Sequence, residues 1–312
     1  MSERILVIRL GALGDLALCF QSFHEIRQAH PKAQIALLTM PPFAEFARKM
    51  PWFDNVLIDE RAPGWRIDQW LGLLAQVRRF NPTRVYDLQG KFRQSILYAL
   101  LGGPMGTAWS GAAPLCTYPR LWPPKPGMHF TDFVAAQLRL ADVPTQPAAD
   151  LAWLDAPLDG LALPERYALL IPGCAPGRDY KRWPASHYAE LALRLRDKGI
   201  NSIAVGTGQD SDAIATIRAV APHVLDFSSQ TSLLQLATLA RLGAAVVGND
   251  TGPTHLAAAV GAPVLALMSD RVDPAWSAPR GMHTTWLQGK PLSSLTTDEV
   301  FLALSRLIDK NG

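Results

Sequence analysis

Apolar positions in this chain come in two alternating rhythms, short continuous runs and longer stretches at helical spacing. Residues 5–10 form a short β-rich run that gives way to Gly11-Ala12-Leu13-Gly14-Asp15, after which residues 16–29 carry a helical pattern stopped by Pro31. Strand, glycine turn, helix is the opening of a βαβ unit. The same rhythm predicts strands at 34–39, 56–58 and 84–88, with Asp87 at the end of the last, and helices at 67–80 and 92–101. Strands alternating with helices predict a parallel sheet covered on both faces.

Residues 108–129 break the pattern. They hold Trp109, Tyr118, Trp122, Arg120, Lys125 and five prolines, a composition that suits no sheet and reads as a functional or mobile segment. Helical spacing returns at 132–140. Residues 143–164, rich in Pro, Ala and Asp, read as a linker between domains 1–155 and 156–312. Beyond it the alternation restarts, with strands at 167–171, 201–205, 224–227, 244–247 and 263–268 and helices at 187–198, 211–221, 233–241 and 254–260. An amphipathic helix at 297–308 closes the chain, and the pattern leaves open whether it packs back on the first domain.

The 312 residues suit two domains, and 48% apolar with 18% charged residues supports buried cores rather than disorder. A net charge of +3 suits an anionic ligand or a transient contact with a membrane surface, but no Lys/Arg block forms a nucleic-acid tail. Cys19, Cys116 and Cys174 lie far apart and lack C-x-x-C spacing, which argues against a disulfide framework or zinc site and for a reducing compartment. Met1-Ser2-Glu3-Arg4 runs directly into Ile5-Leu6-Val7-Ile8, too short for a signal-peptide core. The stretch 256–268 is shorter than the ~20 apolar residues of a spanning helix and contains Pro263. The expectation is a soluble cytoplasmic protein.

Five segments can carry chemistry. Asp15 closes a glycine turn where open α/β sheets place their ligands; it is either a reactive carboxylate or a complement to the helix dipole. The glycines there do not make G-x-G-x-x-G, so no dinucleotide fingerprint is present. Asn249-Asp250-Thr251-Gly252-Pro253-Thr254-His255 follows a strand and opens a helix whose free N–H groups suit phosphate. Capping accounts for Asp250 and Pro253 but not for Gly252 and His255 together. Gly173 begins a loop carrying Arg178, Lys181 and Arg182, cations able to offset charge on a departing diphosphate. Asp210 follows Gly206-Thr207-Gly208 and either meets ribose hydroxyls or caps the next helix. Asp87-Leu88-Gln89-Gly90-Lys91-Phe92-Arg93 brings a further polar cluster to the ligand edge of the first half.

Taken together these segments resemble glycosyltransferase family 9, the heptosyltransferases of lipopolysaccharide core assembly. The likeness rests on Ile8-Arg9-Leu10-Gly11-Ala12-Leu13-Gly14-Asp15-Leu16, on Asp87-Leu88-Gln89-Gly90, on Pro172-Gly173 with Lys181-Arg182-Trp183-Pro184, and on residues 247–259, in that order along nearly the whole chain. It implies a GT-B fold, two Rossmann-like α/β domains with parallel sheets facing across a cleft, and an inverting transfer that uses no metal or other cofactor. It assigns Asp15 as the base, Lys181 as the cation near the donor phosphates, Asp210 as a carboxylate near the ribose and Thr251-Gly252 as the phosphate turn. Gly173, Arg182, Asp250 and His255 complete the donor side. Arg9, Gly11, Ala12, Gly14, Gln89, Arg93, Arg120 and Lys125 form the acceptor side. The implied donor is a nucleotide sugar, ADP-heptose in the usual case. The implied acceptor is a lipid A-linked sugar at the cytoplasmic face of the inner membrane, which the enzyme would meet as a peripheral protein.

The chain departs from the family pattern at Gly11, where Ser is common, at Cys174-Ala175, and at Met268-Ser269-Asp270-Arg271, where a Phe-Gly-x-Thr turn is usual. Two other readings stay open: a nucleotide-sugar epimerase of the same fold, and a nucleotide-binding protein without turnover.

Overall fold

A computed structural model describes residues 3–311, so Met1, Ser2 and Gly312 lie outside the described residues. The chain divides into two units, Met1–Trp153 and Leu154–Gly312, with the boundary inside the Pro- and Ala-rich linker.

In the first unit the elements run β1 (Arg4–Ile8), α1 (Leu13–Ala17), α2 (Phe20–Ala29), β2 (Gln34–Thr39), α3 (Ala44–Arg48), β3 (Asn55–Ile58), α4 (Ile67–Phe80), β4 (Arg84–Asp87), α5 (Phe92–Leu100), β5 (Ala108–Gly111), β6 (Tyr118–Pro119) and α6 (Phe130–Leu140). All six strands are parallel, in the order β3-β2-β1-β4-β5-β6. This is the doubly wound arrangement, in which the chain reverses direction between β1 and β4 and leaves a crevice at their carboxyl ends. Leu6, Ile8, Leu38, Val85, Trp109, Leu73, Leu74, Val77 and Leu97 form one buried cluster between this sheet and its helices.

The second unit repeats the design. It runs β7 (Tyr167–Ile171), α7 (Ala185–Asp197), β8 (Asn201–Ala204), α8 (Ser211–Val220), β9 (Leu225–Asp226), α9 (Leu233–Leu242), β10 (Ala245–Asn249), α10 (Gly252–Ala259), β11 (Val264–Ser269), α11 (Pro274–Ser277), β12 (Thr284–Gly289) and α12 (Thr297–Asn311). Its parallel sheet has the order β12-β11-β10-β7-β8-β9, so its switch point lies between β7 and β10. The central strands read as unbroken apolar runs because both faces are covered; β7 and β11 are buried at every position. The closing helix α12 buries Val300, Leu304, Leu307 and Ile308 against α7 and the strands β10 and β11 of its own unit.

Three local expectations need correction. The segment 108–129 is not foreign to the sheet: it supplies β5 and β6. Trp109 is fully buried there, and Pro119 is tolerated because an edge strand needs no donor on its outer side. The first helix starts at Leu13 rather than Leu16, because the Asp15 carboxylate accepts the Ala12 N–H at 2.8 Å and caps it; it breaks after Ala17. The strand β12 was missed because half its positions face outward, so its run TTWLQG lacks the apolar signature of a buried strand.

Candidate functional site

The first unit gathers its polar residues at the β1–β4 switch point. Arg9, just beyond β1, is only 4% exposed. Its Nη1 donates to the Leu88 carbonyl at 2.7 Å, its Nη2 lies 2.9 Å from Asp15 Oδ1, and its guanidinium stacks 4.6 Å from the Phe130 ring. Arg9 is therefore a strut between the two loops. Asp15 keeps 43% of its side chain exposed while both oxygens are steered, one by Arg9 and the other by the Ala12 N–H. An ionised carboxylate has about four lone-pair sites, so two remain to accept further hydrogen bonds. Gln89 ties the second loop to the first through the Leu10 N–H, 3.0 Å from its Oε1.

Gly11 shows why this chain departs from the serine common at that position. Its φ is +121°, and a β-carbon there would meet the Phe43 ring at 2.3 Å. The ring occupies the space that a side chain would need. Gly14 is buried within α1.

Asp87, which the sequence places at the ligand edge without a role of its own, anchors the turn after β4. It is fully buried, and its Oδ1 accepts the N–H groups of Gln89 at 3.1 Å and Gly90 at 2.8 Å. Its Oδ2 is without a hydrogen-bond partner. Burial pushes the carboxyl up to about 6, only partly offset by the Gly90 N–H and the nearby Arg120 and Arg9 charges. Arg120 donates to the Gly90 carbonyl at 2.9 Å, and burial pulls its guanidinium below the ordinary value. Arg93 is spent within the fold: it grips Asp59 with both ends, at 2.9 and 2.6 Å, donates to the Ala62 carbonyl at 2.8 Å and lies 4.0 Å over Trp70. Lys125 stands exposed on the loop after β6.

The second unit brings Gly173, Lys181, Arg182, Asp210, Asp250, Thr251, Gly252 and His255 to the carboxyl ends of β7, β8 and β10. Lys181 Nζ lies 2.5 Å from Asp250 Oδ2, and His255 Nε2 lies 3.0 Å from Asp250 Oδ1. A carboxylate only accepts, so Nε2 carries the hydrogen. Burial pushes Asp250 up, but the hydrogen bonds and charges of His255 and Lys181 outweigh it and hold the carboxyl below its ordinary value. Two buried atoms here have no partner, Thr251 Oγ1 and His255 Nδ1. Thr251 heads α10, whose first N–H groups, those of Gly252 and Thr254, have no carbonyl within the helix to bond. The head of α10 thus offers donors, a hydroxyl and an adjacent ammonium to an anion.

Arg182 aims at the same edge. Both its Nη atoms lie 3.3 Å from Asp210 Oδ1, while Asp210 Oδ2 accepts from the Thr207 N–H at 3.0 Å. Gly173 lets this happen, since a β-carbon at that position would lie 2.6 Å from the Asp210 carboxylate. The residue that sequence reasoning underweighted is Asn249. Its Nδ2 donates to the carbonyls of Pro172 and Gly173 at 2.7 and 3.2 Å, and its Oδ1 accepts from the Trp183 N–H and the Tyr188 hydroxyl, each at 3.1 Å. It fixes both ends of the cation-bearing loop to β10. Its place beside Asp250 was the available signal. Among the described residues no three His, Cys, Asp or Glu side chains group as metal ligands.

A family model described as glycosyltransferase family 9 (heptosyltransferase) matches residues 70–279. The chain belongs to glycosyltransferase family 9. It is a glycosyltransferase by that membership. Lipopolysaccharide heptosyltransferase 2 of Escherichia coli K12 is 26% identical over 303 residues, 85% of this chain and 82% of that relative. The solved E. coli ADP-heptose lipopolysaccharide heptosyltransferase II superposes with a TM-score of 0.77 at 23% identity, covering 99% of each chain. E. coli heptosyltransferase WaaC with ADP gives 0.77 at 19% identity, covering 99% of this chain and 100% of that one. The fold is GT-B, as in those structures. A UDP-GlcNAc 2-epimerase from Methanocaldococcus jannaschii shares it more distantly, at a TM-score of 0.58 and 11% identity over 99% of this chain and 92% of that one.

Proposed function

We propose that this glycosyltransferase moves a heptose from ADP-heptose onto an inner-core lipopolysaccharide acceptor, with inversion and without a divalent metal. The observation that carries the reading is the head of α10, where Lys181, the unpartnered Thr251 hydroxyl and the free helix N–H groups converge. That set suits a diphosphate, and heptosyltransferases are among the proteins this chain resembles.

In the proposed step Asp15 takes the proton of the acceptor hydroxyl as its oxygen attacks the anomeric carbon. The bond from that carbon to the diphosphate oxygen breaks, and ADP departs with the electron pair. Lys181 and Arg182 offset the charge that develops on it, the role a metal fills elsewhere. Asp250 and Asp210 hold those two cations in place, and Arg120 and Lys125 meet anionic groups of the acceptor. Because the acceptor is lipid-linked, the enzyme works as a peripheral protein at the cytoplasmic face of the inner membrane.

The test is a screen of ADP-, UDP- and GDP-sugars by thermal stabilisation, followed by transfer in excess EDTA. Stabilisation by ADP-heptose above the others, with full activity in EDTA, is expected. A preference for UDP-sugars, or a strict Mg²⁺ or Mn²⁺ requirement, would overturn the donor or the metal-free mechanism respectively.

A further inference from the structure

Of the ten large apolar side chains that stand in the open on the first unit, six lie on or beside three loops: Trp65, Ile67, Leu71, Phe92, Leu121 and Trp122. Phe92 is 81% exposed, Trp65 75% and Trp122 70%. They are not scattered. Trp65 and Ile67 follow β3, Phe92 follows β4, and Leu121 and Trp122 follow β6, so in a parallel sheet all three loops emerge at one edge. The loops are also braced together. Arg93, next to Phe92, holds Asp59 and the Ala62 carbonyl and lies over Trp70. Arg120 holds the Gly90 carbonyl and lies 5.8 Å from the Trp122 ring. Helix α4 shows the pattern in one element, burying Leu73, Leu74 and Val77 while it presents Ile67 and Leu71 outward. Exposed apolar side chains gathered on braced loops at one edge mark an interaction surface.

We infer that this edge docks on an anionic phospholipid bilayer. Charge selects that occupant. Arg61, Lys91 and Lys125 stand exposed among the apolar side chains with Arg66 part-exposed, and the exposed carboxylates beside them are Glu60, Asp68 in the first turn of α4 and Asp132 in the first turn of α6. Aromatic and aliphatic anchors interleaved with Lys and Arg suit the boundary between head groups and acyl chains. A second copy of the chain would set like charges against like. No helix among the described residues is long and apolar enough to cross a membrane. The inference extends the lipid-linked acceptor of the proposed function, but docking can be read without any substrate.

The test uses the full chain with vesicles of phosphatidylcholine alone or with about a third phosphatidylglycerol, comparing the wild type with a Trp65→Ser, Phe92→Ser, Trp122→Ser variant and with Arg61→Ser, Lys91→Ser. Circular dichroism and a thermal melt check the fold of each. The wild type should co-sediment with the anionic vesicles, less so at high salt, and both variants should bind about tenfold more weakly or worse. With a delipidated inner-core acceptor the variants should lose far less turnover than vesicle binding. Absent binding by the wild type, or equal binding by folded variants, overturns the inference. So does a dimer in sedimentation velocity that the serine variant abolishes. Failed transfer to the delipidated acceptor with intact vesicle binding would instead count against the proposed reaction.

Discussion

Asp87 and Asp250 start alike and end differently. Each stands at the carboxyl end of a central strand beside a switch point, and each is buried. Burial alone pushes both carboxyls up. Asp87 has two backbone N–H groups on one oxygen and no hydrogen-bond partner on the other, with Arg9 and Arg120 acting through space, and it stays raised, at about 6. Asp250 touches Lys181 and His255 and falls below its ordinary value. Cations in contact reverse the effect of burial, whereas cations nearby only soften it. The second unit therefore holds a fixed ion network beside an anion-receiving helix end, and the first unit holds a turn scaffold that presents one carboxylate, Asp15.

The sharpest way to break this comparison is Asp15→Asn. If the first edge supplies the base and the second binds the donor, transfer should fall by about 10²–10⁴-fold while donor affinity is nearly unchanged. Steady-state kinetics beside donor titration decide it, and a parallel loss of both would merge the two roles.

Asp250→Asn comes next. It leaves the Lys181 charge largely buried without its counter-ion, so stability should drop by about 3–5 kcal/mol, read by denaturant unfolding. For the wild-type Asp250, whose folded value is lowered, the stabilisation is present above its unfolded value and lost only as pH falls below that.

Asp87→Asn tests the opposite sign. A raised carboxyl favours the protonated folded state, so its stability contribution is full below the unfolded value near 3.8 and lost as pH rises through about 6. The difference is about 3 kcal/mol for a fully buried group. The Asn variant should lack this pH dependence between those limits and should be no less stable than the wild type at pH 8. A variant that unfolds at pH 8 would show that the charged form is needed.

The smallest effect concerns Gly11. Gly11→Ser restores the residue common in the family, but its β-carbon must displace the Phe43 ring, which should cost about 1–3 kcal/mol. Combining it with Phe43→Ala should recover part of that loss, and simple additivity in the double-mutant cycle would mean the two residues are uncoupled.

The sequence by itself determined the alternation of strands and helices, the glycine turns at strand ends, and the segments around Asp15 and 249–255. Each depends on spacing within about one helical turn or on the two-residue period of a strand, so local pattern is enough. Tertiary structure alone decided that β5 and β6 join the sheet, because their pairing with strands far along the chain outweighs their proline-rich composition. It decided that Asn249 staples a loop 66–77 residues away and that Lys181 reaches Asp250 across 69 residues. It also decided the opposite shifts of Asp87 and Asp250, since the charge state of a buried carboxyl is set by the partners that folding brings into contact.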